Sequence, residues 1–84
     1  KPSGTTLPEL QEIAVTAGRI ADRSLRDARI RERFGVTVVA ITREDGDTLL
    51  HPSPDAVMRP GDRVLVFGLR EQVAALEQEV RVET

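Results

Sequence analysis

Eighty-four residues, twelve of them basic and fourteen acidic, give a chain with a formal charge of -2 and no cysteine. A single domain of this length buries only about 60 to 65% of the surface that its unfolded chain exposes, so its core is thin and association with a partner would add to it. Without cysteine there is no disulfide framework, no Cys-based zinc site and no thiol redox chemistry; with Phe34 and Phe67 the only aromatics, stacking platforms for bases are scarce and nucleic acid is not an expected partner.

The chain opens at Lys1 without a methionine, and Lys1-Pro2-Ser3-Gly4-Thr5-Thr6 has the composition of a linker. Residues 1–8 read as a linker or cloning remnant, and the chain as a whole as part of something longer. From Leu10 to Thr16, Ile13 and Val15 alternate with smaller or polar residues, which predicts a half-buried strand broken by Ala17-Gly18. Ser24 followed three positions later by Asp27 resembles a capping box with Asp in place of Glu. It opens a helix that carries Arg29 to Arg33 toward its C-terminus and stops at Gly35. On a continuous helix, at about 100° per residue, Leu25, Ala28 and Glu32 share one side while Ile30 and Phe34 fall nearly opposite. Either the helix ends by Arg33 and Phe34 turns into the core, or Ile30 and Phe34 form a second buried face at a dimer seam or a ligand.

Val36-Thr-Val-Val-Ala-Ile-Thr42 is β-branched or apolar at nearly every position, the pattern of a central strand covered on both faces. Glu44-Asp-Gly-Asp47 is a turn, after which Thr48 to His51 returns antiparallel until Pro52-Ser-Pro54 interrupts ladder pairing. Arg59-Pro60-Gly61-Asp62 predicts a type II turn leading into a third antiparallel strand, Arg63 to Gly68. Val73, Leu76 and Val80 make the apolar stripe of a closing helix over Glu71 to Val80. The order β-α-β-β-β-α defines a small α+β domain with a mostly antiparallel sheet and two helices on one side of it.

Little in this chain points to catalysis. His51 is the only histidine, and no serine stands in a Gly-x-Ser-x-Gly elbow, so an autonomous active site is not expected. Glu44, Asp45 and Asp47 lack the length and spacing of an EF-hand loop and read as a solvated tip; no metal site is expected. Gly46, Gly61 and Gly68 are too scattered for a phosphate loop. Arg26, Arg29 and Arg33 fall within about 60° of one another on an ideal helix, a stripe able to hold an anion but more often a solvated face neutralised by acids such as Asp27 and Glu32.

The run Ser24-Leu-Arg-Asp-Ala-Arg-Ile-Arg-Glu-Arg-Phe-Gly-Val-Thr-Val-Val-Ala-Ile-Thr-Arg43 resembles the helix-to-strand core of RCK C-terminal (TrkA-C) domains. Thr48-Leu-Leu-His-Pro-Ser-Pro-Asp-Ala-Val-Met-Arg-Pro-Gly-Asp-Arg-Val-Leu-Val-Phe-Gly68 resembles that family's apolar strand, proline segment, Gly-Asp turn and final strand. The match covers about Ile13 to Val80, and residues 9–84 are identified as the domain. Asp22-Arg23-Ser24 departs from the Gly-Lys-Thr or Gly-Lys-Ser that many relatives carry before the helix.

The resemblance implies a cytoplasmic homodimer at the cytoplasmic face of the membrane, regulating a potassium channel, a potassium transporter subunit or a cation/proton antiporter in the same or an associated chain. It requires no cofactor, but in some members cyclic di-AMP binds between two C-terminal domains. The matching ligand-binding positions here are Ile30, Arg31, Thr37, Val38, His51 and Pro52, and Thr37 stands where several members have Asn. A two-fold dinucleotide, or another small anionic nucleotide, suits a two-fold dimer because each protomer offers the same groups to equivalent phosphates. The alternative is a structural module that dimerises or couples transporter subunits and takes no small ligand, supported by the apolar Ile30/Phe34 face.

Overall fold

The computed structural model describes residues 7–81; of the expected linker, 1–6 lie outside the described residues. Four strands, β1 (Glu9–Ala14), β2 (Thr37–Thr42), β3 (Thr48–Leu50) and β4 (Arg63–Gly68), form one antiparallel sheet in the order β1-β4-β2-β3. Among the described residues, three helical segments accompany the sheet: α1 (Leu25–Ala28), α2 (Ile30–Phe34) and α3 (Arg70–Arg81). The α+β architecture and the element order agree with the sequence pattern, with the first helix divided in two.

That division resolves the two-sided helix. Ser24 caps α1, its Oγ accepting from the Asp27 N–H at 3.0 Å. The chain then passes through a left-handed conformation at Arg29 (φ 54°, ψ 48°) before α2 begins, and α2 ends at Gly35, also left-handed at φ 70°. On an unbroken helix, residues two apart point about 160° from each other. The break lets Ala28 and Ile30 both enter the core, at 1% and 4% exposure. The helix is broken at Arg29 instead of ending by Arg33, and Ile30 needs no partner to be buried, because it is a core residue of the single protomer. Phe34 is half-buried against the same core, with the Arg33 guanidinium 4.9 Å from its ring centroid.

Val64 and Val66 of β4 face the helices, and their register partners Ile13, Ile41 and Val38 join them. Val73, Leu76 and Val80 of α3 close over this layer, each essentially inaccessible. Burying side chains of this size contributes about 1.5–3 kcal/mol each, the main force holding so small a domain together. The alternate residues of the sheet form its second face: Leu10 opposite Phe67, then Leu65 beside Ala40, then Leu50. Leu10, Phe67 and Leu50 are 59%, 43% and 66% exposed. β2 is thus internal in strand order but roofed by helices on one face only, which corrects the expectation of a strand covered on both.

The turns follow their chemistry. Gly61 takes φ 97° at the third position of the Arg59–Asp62 turn, and the Asp62 N–H returns to the Arg59 carbonyl at 2.9 Å, a type II turn. Asp62 is buried at 3% exposure; its Oδ2 accepts from the Arg59 N–H at 2.8 Å and from Arg43, which also donates to the Val57 carbonyl at 2.7 Å. This knot ties the end of β2 to the start of β4.

Candidate functional site

β3 is short for a physical reason that also creates a cavity. After Leu50 the chain turns through His51 at φ 51°, whose N–H bonds the Val39 carbonyl at 2.8 Å, and then enters Pro52-Ser53-Pro54. Proline donates no hydrogen bond, so the ladder stops there and the first half of β2 has no β3 residue beside it. A register shift between Val38 and Ala40 marks the same stretch of β2 as a bulge. The segment instead crosses to α1, where the Arg26 and Leu25 N–H groups donate to the Pro54 and Ala56 carbonyls at 2.8 and 2.9 Å.

Between α1–α2, the start of β2 and this proline segment lies a cavity of about 370 Å³. Its apolar floor includes Ile30, Val36 and Val38, and Pro52 and Pro54 form one wall. Arg26, Arg31 and Glu32 supply the charge, and Thr37 a hydroxyl at the strand end. Ligand sites are commonly concave, with apolar surface to bury a ligand and polar groups to fix its orientation, and this cavity offers both in comparable measure.

Five of the six expected site residues, Ile30, Arg31, Thr37, Val38 and Pro52, line this one cavity. His51 is not among the lining residues; it is exposed and immediately precedes Pro52. Arg31 is exposed at the cavity rim, whereas Ile30 sits beneath it in the core. The sequence did not single out Glu32, Leu25, Val36 or Pro54 as site residues, nor Arg26 other than as part of the arginine stripe. Their convergence depends on the break at Arg29 and on the path of the proline segment, neither of which has a periodic signature.

The expected stripe of Arg26, Arg29 and Arg33 does not form as one face, because Arg29 breaks the helix that would align it. Arg26 pairs with Asp55 at 3.2 Å and Arg33 lies 3.6 Å from Glu79. The neutralising acids come from other segments and not from Asp27 and Glu32. The Glu44–Asp47 tip is an exposed turn, with the Asp47 N–H bonded to Asp45 Oδ1 at 2.9 Å. Among the described residues, no three His, Cys, Asp or Glu side chains are grouped so as to hold a metal ion, and no helix is long and apolar enough to cross a membrane.

A family model described as the TrkA-C domain matches residues 10–81. A probable potassium channel protein 2 of Methanocaldococcus jannaschii is 37% identical over 62 residues, which is 74% of this chain but only 18% of that protein. The fold superposes on an RCK_C domain dimer of S. agalactiae BusR in complex with c-di-AMP, with a TM-score of 0.80 and 24% identity over 88% of this chain and 97% of that one. A second solved structure, S. agalactiae BusR in complex with its busAB-promotor DNA, has a TM-score of 0.78 and 23% identity, and the match covers all of this chain but 40% of that one. At these identities the structural likeness establishes the fold.

Proposed function

The chain belongs to the TrkA-C domain family, and from that premise we propose that it is a regulatory ligand-binding and dimerisation module of a potassium or other monovalent-cation transport system. The ligand is cyclic di-AMP or another small anionic nucleotide, held in the cavity between α1–α2 and β2 where two copies meet. The observation that carries this reading is the convergence of Ile30, Arg31, Thr37, Val38 and Pro52 on one cavity. On this reading Arg31 contacts a phosphate from the cavity rim and the apolar floor receives a base. The similar BusR domain dimer bound to c-di-AMP supports the ligand class, and the similar potassium channel protein supports the transport system.

A two-fold ligand between two protomers would act by its differential affinity for dimer arrangements, and no shift can exceed that difference. The module works at the cytoplasmic face of the membrane, coupled to a channel, transporter or antiporter in the same or an associated chain. Neither catalysis nor nucleic-acid binding is part of this reading; with a net charge of -2 and two aromatics, the domain is poorly equipped for the latter.

Titration calorimetry with cyclic di-AMP is the test, paired with thermal shift and sizing. Binding weakened at least tenfold by Arg31→Ala, at an unchanged melting temperature, is the expected result, because an exposed arginine adds little to stability. Equal affinity in the two proteins rejects the site. A firm dimer that no nucleotide stabilises favours the alternative, a coupling module without a small ligand. The exposed Leu10, Phe67 and Leu50 on the open face of the sheet are the observation behind that alternative, now that Ile30 is accounted for in the core.

A further inference from the structure

We propose that Arg26 is a second anion-contacting residue of the cavity and that Asp55 occupies it in the free protein, so that ligand binding exchanges one ion pair for another. This rests on reading the cavity as an anion site.

The charge around the cavity motivates it. Arg31 and Glu32 are adjacent lining residues of opposite sign, and their long-range effects on an anion largely cancel. The remaining lining charge is Arg26, and Asp55, which is not part of the lining, neutralises it. The free cavity is therefore close to electrically neutral. Beyond the direct contact from Arg31, an anion gains a further attractive charge there when Asp55 releases Arg26.

The geometry makes that release easy. Arg26 reaches Asp55 through Nε at 3.3 Å and through a terminal nitrogen at 3.2 Å, and both contacts fall on the same oxygen, Oδ1. This is not the two-oxygen fork that arginine makes best with a carboxylate or a phosphate. The two side chains are 63% and 77% exposed, so the pair contributes little to stability and water readily replaces either partner. The backbone beneath is fixed independently. The Arg26 N–H donates to the Pro54 carbonyl at 2.8 Å, and the Asp55 N–H donates to Ser53 Oγ at 3.1 Å. The exchange requires only side-chain rotation, with a phosphate presenting two oxygens where Asp55 presents one.

The experiment is calorimetric titration of cyclic di-AMP into the wild type, Arg26→Ala, Asp55→Asn and the double variant, with Arg31→Ala alongside and melting temperatures as a folding control. Arg26→Ala is expected to weaken binding about tenfold, the loss of one charge-assisted contact at a partly exposed site. Asp55→Asn is expected to tighten it about two- to fivefold, and that gain should shrink in the Arg26→Ala background, where only the repulsion from the unpaired Asp55 carboxylate is left to relieve. A gain as large or larger without Arg26 means that Asp55 acts only by direct repulsion of the ligand and overturns the exchange. Binding that depends on Arg31 but not on Arg26 overturns this inference while leaving the cavity assignment intact. No binding by the wild type overturns both.

Discussion

Replacing Arg29 with glycine should make this domain more stable, although glycine is ordinarily a poor choice beside a helix. Arg29 sits at φ 54° and ψ 48°, a left-handed conformation that costs a residue bearing a Cβ about 1–2 kcal/mol. The strain persists because it allows Ile30 to be buried at 4% exposure alongside Ala28 at 1%, and burying an isoleucine is worth about 1.5–3 kcal/mol. Glycine removes the strain but adds unfolded-state freedom worth about 0.5–1 kcal/mol. The net expectation is a stabilisation of about 0.5–1 kcal/mol, or roughly 2–8 °C in melting temperature for a domain of this size. Arg29→Ala keeps the strain and should change stability little. Urea and thermal melts of the three proteins, at equal protomer concentration because dimerisation would add to stability, give the ranking. An unbroken helix from Leu25 to Phe34 demands the opposite order, since alanine is the best helix former and glycine about 1 kcal/mol worse. Alanine above glycine would refute the account of the break.

The remaining predictions concern the core and the turn knot. Leu76→Ala removes an essentially inaccessible α3 side chain and should cost about 2–5 kcal/mol, enough to populate the unfolded state at room temperature in a thin-cored domain; circular dichroism during urea titration measures it. Asp62→Ala leaves the half-buried Arg43 without its counter-charge and the Arg59 N–H without its acceptor, with an expected loss of about 3–5 kcal/mol. Adding Arg43→Met should recover part of that loss, and a double variant no more stable than Asp62→Ala would show that the knot does not act as a pair. Gly61→Ala forces a Cβ onto φ 97°, 2.8 Å from the present position of Glu44 Oε1, and should lower the urea midpoint by the equivalent of about 1–2 kcal/mol.

The sequence made legible whatever depended on local chemistry or on a period. The Ser24 cap, the Gly35 stop, the Gly61 turn and the Val73/Leu76/Val80 stripe all appear where their side chains or dihedral demands put them. β4 runs over Arg63–Gly68 as expected, because Val64 and Val66 alternate with less buried residues. The break at Arg29 was legible only as a contradiction, two apolar faces on one short helix. No residue preference announced it, since arginine is not a usual left-handed residue; the core imposed the conformation. The uncovered face of β2 was hidden for a related reason: apolar content at every position reads as burial on both sides, whereas here Ala40 is covered by its sheet neighbours and Thr37 is exposed. Five cavity residues were reached by family resemblance. Periodicity and spacing alone would have led to the arginine stripe, which the fold dismantles.

Ile30 occupies a position that ties stability to the site. It belongs to the core cluster with Ala28, Val36 and Ile41, and it also lines the cavity. It comes directly after the strained Arg29 and precedes Arg31. Truncating Ile30 would therefore lower affinity and stability together, and the change in affinity alone could not identify it as a contact. Arg26 and Arg31 are exposed, so the loss of either charge changes what the cavity attracts without opening a hole beneath it. The same linkage operates in reverse. The proposed ligand, seated on Ile30 and Val38, would press on the layer that holds α2 against β2, and its binding energy would add to domain stability as the logarithm of its concentration over its dissociation constant. A thermal shift that rises with nucleotide in the wild type, and is delayed to higher nucleotide concentration in Arg31→Ala from an unchanged ligand-free melting temperature, would locate the ligand by its charge while its effect is read through the core.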